Sequence, residues 1–381
     1  MKYMKIGILT LRLRTNYGGI LQNYALQTVL RRLGYEPVTM SYSIRDSYIS
    51  KILSIGKRLF LKVFRKKNIL IRAWLFKREY EIITQNTRFF VNKYVLTTKS
   101  VPINEVGKLC ANLDVVVVGS DQVWRPKYAK RIEEFFFKSL KRYNIRKIAY
   151  AASFGTENWE YTLKQTKRCA RLAKRFDFIS VRERSGIELC REYLNVNAIH
   201  LLDPTMLLDK EDYICLVEQE KAKHFSDSLF VYILDRSKEK EKVVRAVSEE
   251  LDVNPFYVMP EKHFADVGAE YIEQCIFPPV TDWLRGFVDA SFVVTDSFHG
   301  MVFSIIFNKP FIVIANEERG LERFVSLLEM FDLKDRLVFS LQTLTSELIR
   351  MPIDFVRVNL VKKMEQEKAV CFLQNALRDK I

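Results

Sequence analysis

The chain has 381 residues, 48% of them hydrophobic and 28% charged, and Lys plus Arg outnumber Asp plus Glu by 61 to 46, for a net charge of +15. This length and apolar content suit two folded domains and exclude intrinsic disorder. Six scattered cysteines with no CxxC spacing exclude a disulfide scaffold and fit reduced thiols in a cytoplasmic protein, and no apolar run is long enough for a membrane span.

Lys5–Thr10 reads as an opening strand rather than a signal peptide, because Arg12 and Arg14 interrupt the apolar run and no small-residue cleavage site follows. Ile20–Leu33 is predicted helical, with Gly34 as its stop. From Ser47 to Arg78 there are ten basic residues and no acidic one, with Ile52, Ile55, Leu59 and Val63 at helical spacing. This basic amphipathic segment and its helical continuation mark 47–94 as an insertion. Two readings fit it: a solvated basic face packed on the domain, or contact with an anionic membrane surface through 47–78. No zinc finger, RNP motif or recognition helix supports nucleic acid. Strands follow at Asp114–Val118, Lys147–Ala152, Phe178–Arg182 and His200–Leu202, with a helix at Ser185–Tyr193. A second series then begins, with strands at Leu229–Leu234, Pro255–Met259, Ser291–Thr295 and Phe311–Ile314. Helices alternate with them at Lys238–Leu251, Asp282–Asp289, Phe298–Phe307 and Gly320–Met330, and a terminal helix covers Lys362–Leu377. Continuous apolar strands between helices predict an α/β protein of two doubly wound, Rossmann-like domains meeting near Asp203–Glu211.

In such sheets ligands bind beyond the carboxyl ends of the strands, so the residues just after each strand are the candidates. After the first strand, Asn16-Tyr17-Gly18-Gly19 precedes a helix whose free N–H groups suit an anion, although an ordinary strand-to-helix turn explains it equally. Asp121, after the valine strand, can cap a helix or orient a sugar hydroxyl. Arg182 and Arg184 can form a carboxylate or phosphate fork, or a surface ion pair with Glu183. The sharpest site is Thr295-Asp296-Ser297-Phe298-His299-Gly300, where Asp296 or Ser297 caps an apolar helix and His299 faces the crevice, suited to hold and give a proton. Arg319 and Arg323 follow one strand later, either facing the same crevice or forming a solvated charge cluster. The remaining histidines make no metal-ligand spacing, so no metal is expected.

Together these blocks resemble the polysaccharide pyruvyl transferase family. The matching stretches are Asn16–Gln27, Gly119-Ser120-Asp121-Gln122-Val123-Trp124, Ser180-Val181-Arg182-Glu183-Arg184, Leu202-Asp203-Pro204-Thr205 and Thr295–Gly300. The resemblance implies a GT-B-like fold with a central cleft. Its N-terminal, acceptor-side domain would span 1–205 and its C-terminal, donor-side domain 206–360, with 361–381 packing back on the first domain. It implies phosphoenolpyruvate as donor, no cofactor, and a saccharide acceptor that becomes a pyruvate ketal. An acceptor carried on a polyprenyl diphosphate would place the protein at the inner face of the membrane, where the basic segment fits. His299 would be the catalytic residue, as general acid or as the group stabilising the departing phosphate. Arg182, Arg184, Ser297, Gly300, Arg319 and Arg323 would bind the donor; Asn16, Tyr17, Gly18, Gly19 and Asp121 would lie on the acceptor side. Some family members carry an arginine a few residues before the histidine; here Asp296, Ser297 and Phe298 stand there. The competing classes are a GT-B nucleotide-sugar glycosyltransferase and a non-catalytic binder of acidic saccharide or membrane.

Overall fold

A computed structural model describes residues 4–44, 77–316 and 319–378. The expected basic segment therefore lies almost wholly outside the described residues.

The first domain is built on six parallel strands: β1 (Lys5–Leu9), β2 (Glu36–Thr39), β5 (Val115–Val118), β6 (Arg146–Ala152), β7 (Phe178–Val181) and β8 (Ile199–His200). Their spatial order is β2-β1-β5-β6-β7-β8. Two short strands, β3 (Tyr42–Ser43) and β4 (Val101–Pro102), pair beside it. The second domain carries β9 (Leu229–Tyr232), β10 (Pro255–Tyr257), β11 (Phe292–Thr295), β12 (Phe311–Ile314) and β13 (Leu337–Val338), all parallel in the order β10-β9-β11-β12-β13. All four residues of Val115–Val118 and of Phe311–Ile314 are buried, as sheets covered on both faces require. The unforeseen β2 is an edge strand, and its Pro37 is tolerable only at such a position.

Each sheet has one point where the strand order reverses, between β1 and β5 in the first and between β9 and β11 in the second. Connections leave in opposite directions there, so a crevice opens at the strand ends. The registers Leu9 to Val118 and Tyr232 to Thr295 set the two edges of each crevice. The two switch points face one another.

The helix after β1, α1 (Tyr17–Arg32), begins three residues earlier than predicted. Asn16 caps it, its side chain accepting a hydrogen bond from the Gly19 amide at 3.2 Å, so the paired glycines lie inside the first turn. In the second domain α2 (Val280–Asp289), α3 (Phe298–Ile306) and α4 (Glu322–Met330) flank the sheet. One apolar core runs through both domains by way of α1 and α2, where Tyr17 stacks on Trp283 at 5.6 Å.

The last helix, α5 (Phe355–Leu377), starts at the Asp354 cap, well before Lys362. It crosses to the first sheet: Phe372 packs against Tyr150 and Phe178, and Arg146 Nη1 donates to the Ala376 carbonyl at 3.1 Å. Among the described residues no helix is long and apolar enough to cross a membrane.

Candidate active site

Between the facing switch points lies a cleft of about 300 Å³. Behind its lining residue His299 lies a buried polar cluster around Asp203. This carboxylate follows β8 and has no exposed side-chain surface. Its Oδ1 accepts from the Thr205 amide at 3.0 Å and the Thr205 hydroxyl at 2.7 Å; its Oδ2 accepts from Arg182 Nη1 at 2.9 Å and from Gln22 Nε2. His299 Nε2, buried and without a hydrogen-bond partner, stands 3.7 Å from the same Oδ2. Burial by itself would push the Asp203 carboxyl up; His299, Arg182 and Thr205 outweigh burial and hold it far below the usual carboxylate range.

His299 sits in the first turn of α3 and lines the cleft. The backbone of Gly18 lies against its ring so closely that a Cβ there would fall 2.0 Å from Nδ1. Thus the glycine at the start of α1 in one domain and Asp203 together fix the imidazole supplied by the other.

The second-domain wall differs from the sequence expectation at α3. Ser297 occupies the cap position, yet its side chain makes no capping bond. Asp296 does not cap either. Its carboxylate accepts from the Leu234 amide at 2.7 Å, the Asp235 amide at 3.1 Å, Lys240 Nζ at 2.6 Å and Asn316 Nδ2 at 3.1 Å, which ties down the loop after β9. The first-turn amides of α3 are therefore left without a side-chain cap beside the cleft, a favourable end for an anion. Gly300 lets this helix settle on β11, since a Cβ would lie 2.1 Å from Thr295 Oγ1.

Arg319 lines the cleft already paired with Asp235, donating through Nη2 at 2.9 Å and through Nε. Those bonds hold the Asp235 carboxyl down at about 2. Arg323 is different. It lines the cleft, is buried, and makes no ion pair among the described residues; its Nη2 donates to the Arg319 carbonyl at 2.6 Å, while Nε has no partner. Burial, and then the neighbouring Arg182 charge, pushes its guanidinium down to about 9. Arg182 and Arg323 both lie over the Phe298 ring, at 4.6 and 5.1 Å.

The expected arginine fork does not form. Arg182 is buried on Asp203, whereas Arg184 is exposed, 3.9 Å from Glu329, and neither lines the cleft. Arg184 already has helical dihedrals at the start of Ser185–Leu189, so it leaves the direction of the strand.

On the first-domain wall, Asn16 and Asp121 line the cleft within 3.5 Å of each other. Asp121 caps no helix; its Oδ1 accepts from the Gln122 amide at 2.7 Å within a turn. Gly19 backs onto this pair, a Cβ there meeting Asn16 and Asp121. The acceptor assignment of Tyr17 is corrected: its ring is fully buried and its hydroxyl donates to the Pro278 carbonyl at 2.8 Å, so it joins the domains instead of meeting a ligand. Asp203 and Gln22, unassigned from the sequence, belong to the site. Among the described residues no group of three His, Cys, Asp or Glu side chains could hold a metal ion.

Two parallel-sheet domains meeting at a cleft between their switch points make a GT-B-like fold, and a solved glycosyltransferase-fold structure aligns over nearly the whole chain. Arabidopsis thaliana UGT89C1 complexed with UDP-L-rhamnose aligns with 98% of this chain and 98% of its own at 8% identity and a TM-score of 0.52. The UDP-N-acetylglucosamine 2-epimerase of Rickettsia bellii aligns over 99% of both chains at 12% identity, with a TM-score of 0.47. No curated protein matches the chain significantly. The family model described as polysaccharide pyruvyl transferase matches residues 16–318. The chain belongs to that family, and is in general terms a transferase acting on a polysaccharide substrate.

Proposed function

We propose that the protein transfers the enolpyruvyl group of phosphoenolpyruvate to two hydroxyls of one saccharide unit, forming a pyruvate ketal and releasing phosphate, with no resident cofactor. The acceptor is a surface-polysaccharide precursor on a polyprenyl diphosphate, met at the cytoplasmic face of the membrane. The observation that carries the donor assignment is Arg323: a buried guanidinium with an unpartnered Nε, beside the uncapped end of α3 and next to His299. A small ligand with a carboxylate and a phosphate supplies the ion-pair partner that Arg323 lacks among the described residues. The cleft volume stands at the lower end of the range for ligand pockets, which favours a compact donor over a nucleotide sugar.

In the reaction, one sugar hydroxyl oxygen bonds to C2 of the donor as C3 takes a proton. His299 gives that proton, held in orientation by Asp203 and Gly18. The C2–O bond to phosphate breaks, Arg323 and the α3 amides take up the charge, and the second hydroxyl closes on C2. The two hydroxyl protons balance those gained by C3 and by the departing phosphate. Asn16 and Asp121 face the acceptor and accept hydrogen bonds from its hydroxyls.

Thermal unfolding with phosphoenolpyruvate, inorganic phosphate and a panel of nucleotide sugars tests this reading. At a hundred times its Kd a ligand stabilises by about 2.7 kcal/mol, a shift of several degrees. Phosphoenolpyruvate is expected to give that shift, and Arg323→Gln to remove it. A shift with one nucleotide sugar and none with phosphoenolpyruvate would replace the reading with glycosyl transfer. His299→Ala should lower kcat by about 10²–10⁴-fold in a folded protein.

A further inference from the structure

A second cavity opens beyond the carboxyl ends of β9 and β10, where sheets of this kind take ligands. It measures about 390 Å³ and is separate from the central cleft, but Met259 lines both. The chain leaving β9 also serves both spaces: Leu234 lines the cleft, while Ile233, Arg236 and Ser237 line the cavity. The helix Lys238–Leu251 supplies another wall through Lys240, Glu241 and Val244.

Tyr257 ends the edge strand β10 and lines the cavity with 50% of its surface exposed, and the Arg236 guanidinium stands 5.8 Å over its ring. Arg236 and Lys240 bring positive charge to the lining, Glu241 and Glu261 negative charge. Lys240 is already paired with Asp296 at 2.6 Å, whereas neither glutamate makes a side-chain hydrogen bond or ion pair among the described residues. Such a lining suits a neutral polyhydroxyl ligand. An aromatic ring takes the C–H face of a sugar, arginine only donates, a carboxylate only accepts, and a hydroxyl does both. A nucleobase also stacks on tyrosine, but the diphosphate of a nucleotide sugar would meet two carboxylates here. The central cleft, at about 300 Å³, is small for a donor and more than one sugar unit, and a polysaccharide precursor continues beyond the unit that reacts.

We propose that this cavity is a second acceptor subsite, holding the saccharide unit next to the one that reacts, and that it selects an oligosaccharide over a single sugar. The acceptor passes from the cleft over Met259 and stacks on Tyr257. Only the reaction at the first unit depends on the pyruvyl-transfer reading.

The full chain on an array of immobilised mono-, di- and trisaccharides tests this, together with Tyr257→Ala, Tyr257→Phe and Glu261→Gln, and with UDP measured by calorimetry. At least one di- or trisaccharide is expected to bind, and its constituent monosaccharides at least tenfold more weakly. Tyr257→Ala should weaken the oligosaccharide roughly tenfold, as loss of one aromatic contact does, and Tyr257→Phe should restore it to within about twofold. Glu261→Gln, at an exposed position, should weaken it severalfold in a protein that melts as the wild type does. No saccharide bound, monosaccharides bound as tightly as the oligosaccharides, or an affinity unchanged in both Tyr257→Ala and Glu261→Gln would overturn the subsite. UDP binding that is lost in Tyr257→Ala would give the cavity to a nucleotide and overturn the saccharide assignment. Oligosaccharide binding that depends on Tyr257, in a protein that shows no phosphoenolpyruvate-induced thermal shift, would overturn the donor reading and leave this subsite standing.

Discussion

Replacing Asp203 with Asn keeps the shape of the buried cluster and removes its only negative charge. Thr205 still has an acceptor in the remaining Oδ1. Arg182 Nη1 and Gln22 Nε2, which now donate to Oδ2, would face an amide NH₂. Arg182 has only about 1% of its side chain exposed and already has Nε and Nη2 without partners, so its charge is left uncompensated in the interior. Breaking a buried ion pair from one side costs about 3–5 kcal/mol. For domains of this size that lowers Tm by roughly 10 °C, which calorimetry or a dye-based melt reads directly. Because the native carboxyl is held far below its ordinary value, the deficit is complete at any pH above about 4 and shrinks only as pH falls further and the wild-type group protonates. The same substitution tests positioning. With His299 Nε2 3.7 Å from Oδ2, the neutral amide no longer orients the imidazole, and kcat should fall at least tenfold. In a double-mutant cycle, Asp203→Asn should add little to the loss caused by His299→Ala. Losses that multiply, or a melt within a degree of wild type, would refute the coupling of these two residues.

Other consequences are equally open to measurement. Gly18→Ala places a methyl 2.0 Å from His299 Nδ1, so the ring must move; we expect kcat to fall a hundredfold or so with a much smaller loss of stability, and retention within threefold would show that the contact does not position the histidine. Arg184→Ala should change the phosphoenolpyruvate KM less than twofold, because the side chain is 61% exposed away from the cleft; a tenfold rise would restore the arginine fork. Burial pushes the His200 imidazole down to about 4, with Nε2 2.9 Å from the Arg182 carbonyl. The unfolded chain takes up that proton first, so stability is complete above about pH 6.5 and declines by roughly 3 kcal/mol as pH falls to 4. His200→Gln should flatten that interval in pH-dependent denaturant melts, and an unaltered slope would assign the acid sensitivity to other groups.

The parts of this molecule that were legible in the sequence are those whose cause is local. Val115–Val118 and Phe311–Ile314 read as buried strands because four successive apolar residues have no exposed face to spare. The helices Leu163–Ala173 and Lys210–Gln219 are absent from the sequence prediction, although Thr162 with Gln165 and Asp209 with Asp212 carry the reciprocal capping pattern that announces a start. The start of α1 was harder to place. Gly18-Gly19 looks like a loop, and only the approach of His299 from the other domain explains a glycine inside the helical turn.

The candidate site divides in the same way. Strand ends led to His299, Asn16, Asp121 and Arg323, because a parallel sheet delivers those positions to its crevice whatever the partner domain does. Asp203 is visible in the sequence only as part of the Leu202-Asp203-Pro204-Thr205 stretch that carries the family resemblance. Its importance comes from Arg182 across a strand, Gln22 on α1 and His299 on α3, none of them near it in the chain. Arg182 and Arg184 show the reverse case, neighbours in sequence that one helical turn sends apart. Of the two, Arg182 stays near the site, as the charge that balances Asp203 behind the histidine. Arg323 is thereby left as the cleft's buried cation with no carboxylate of its own among the described residues, and a donor anion is what would complete it.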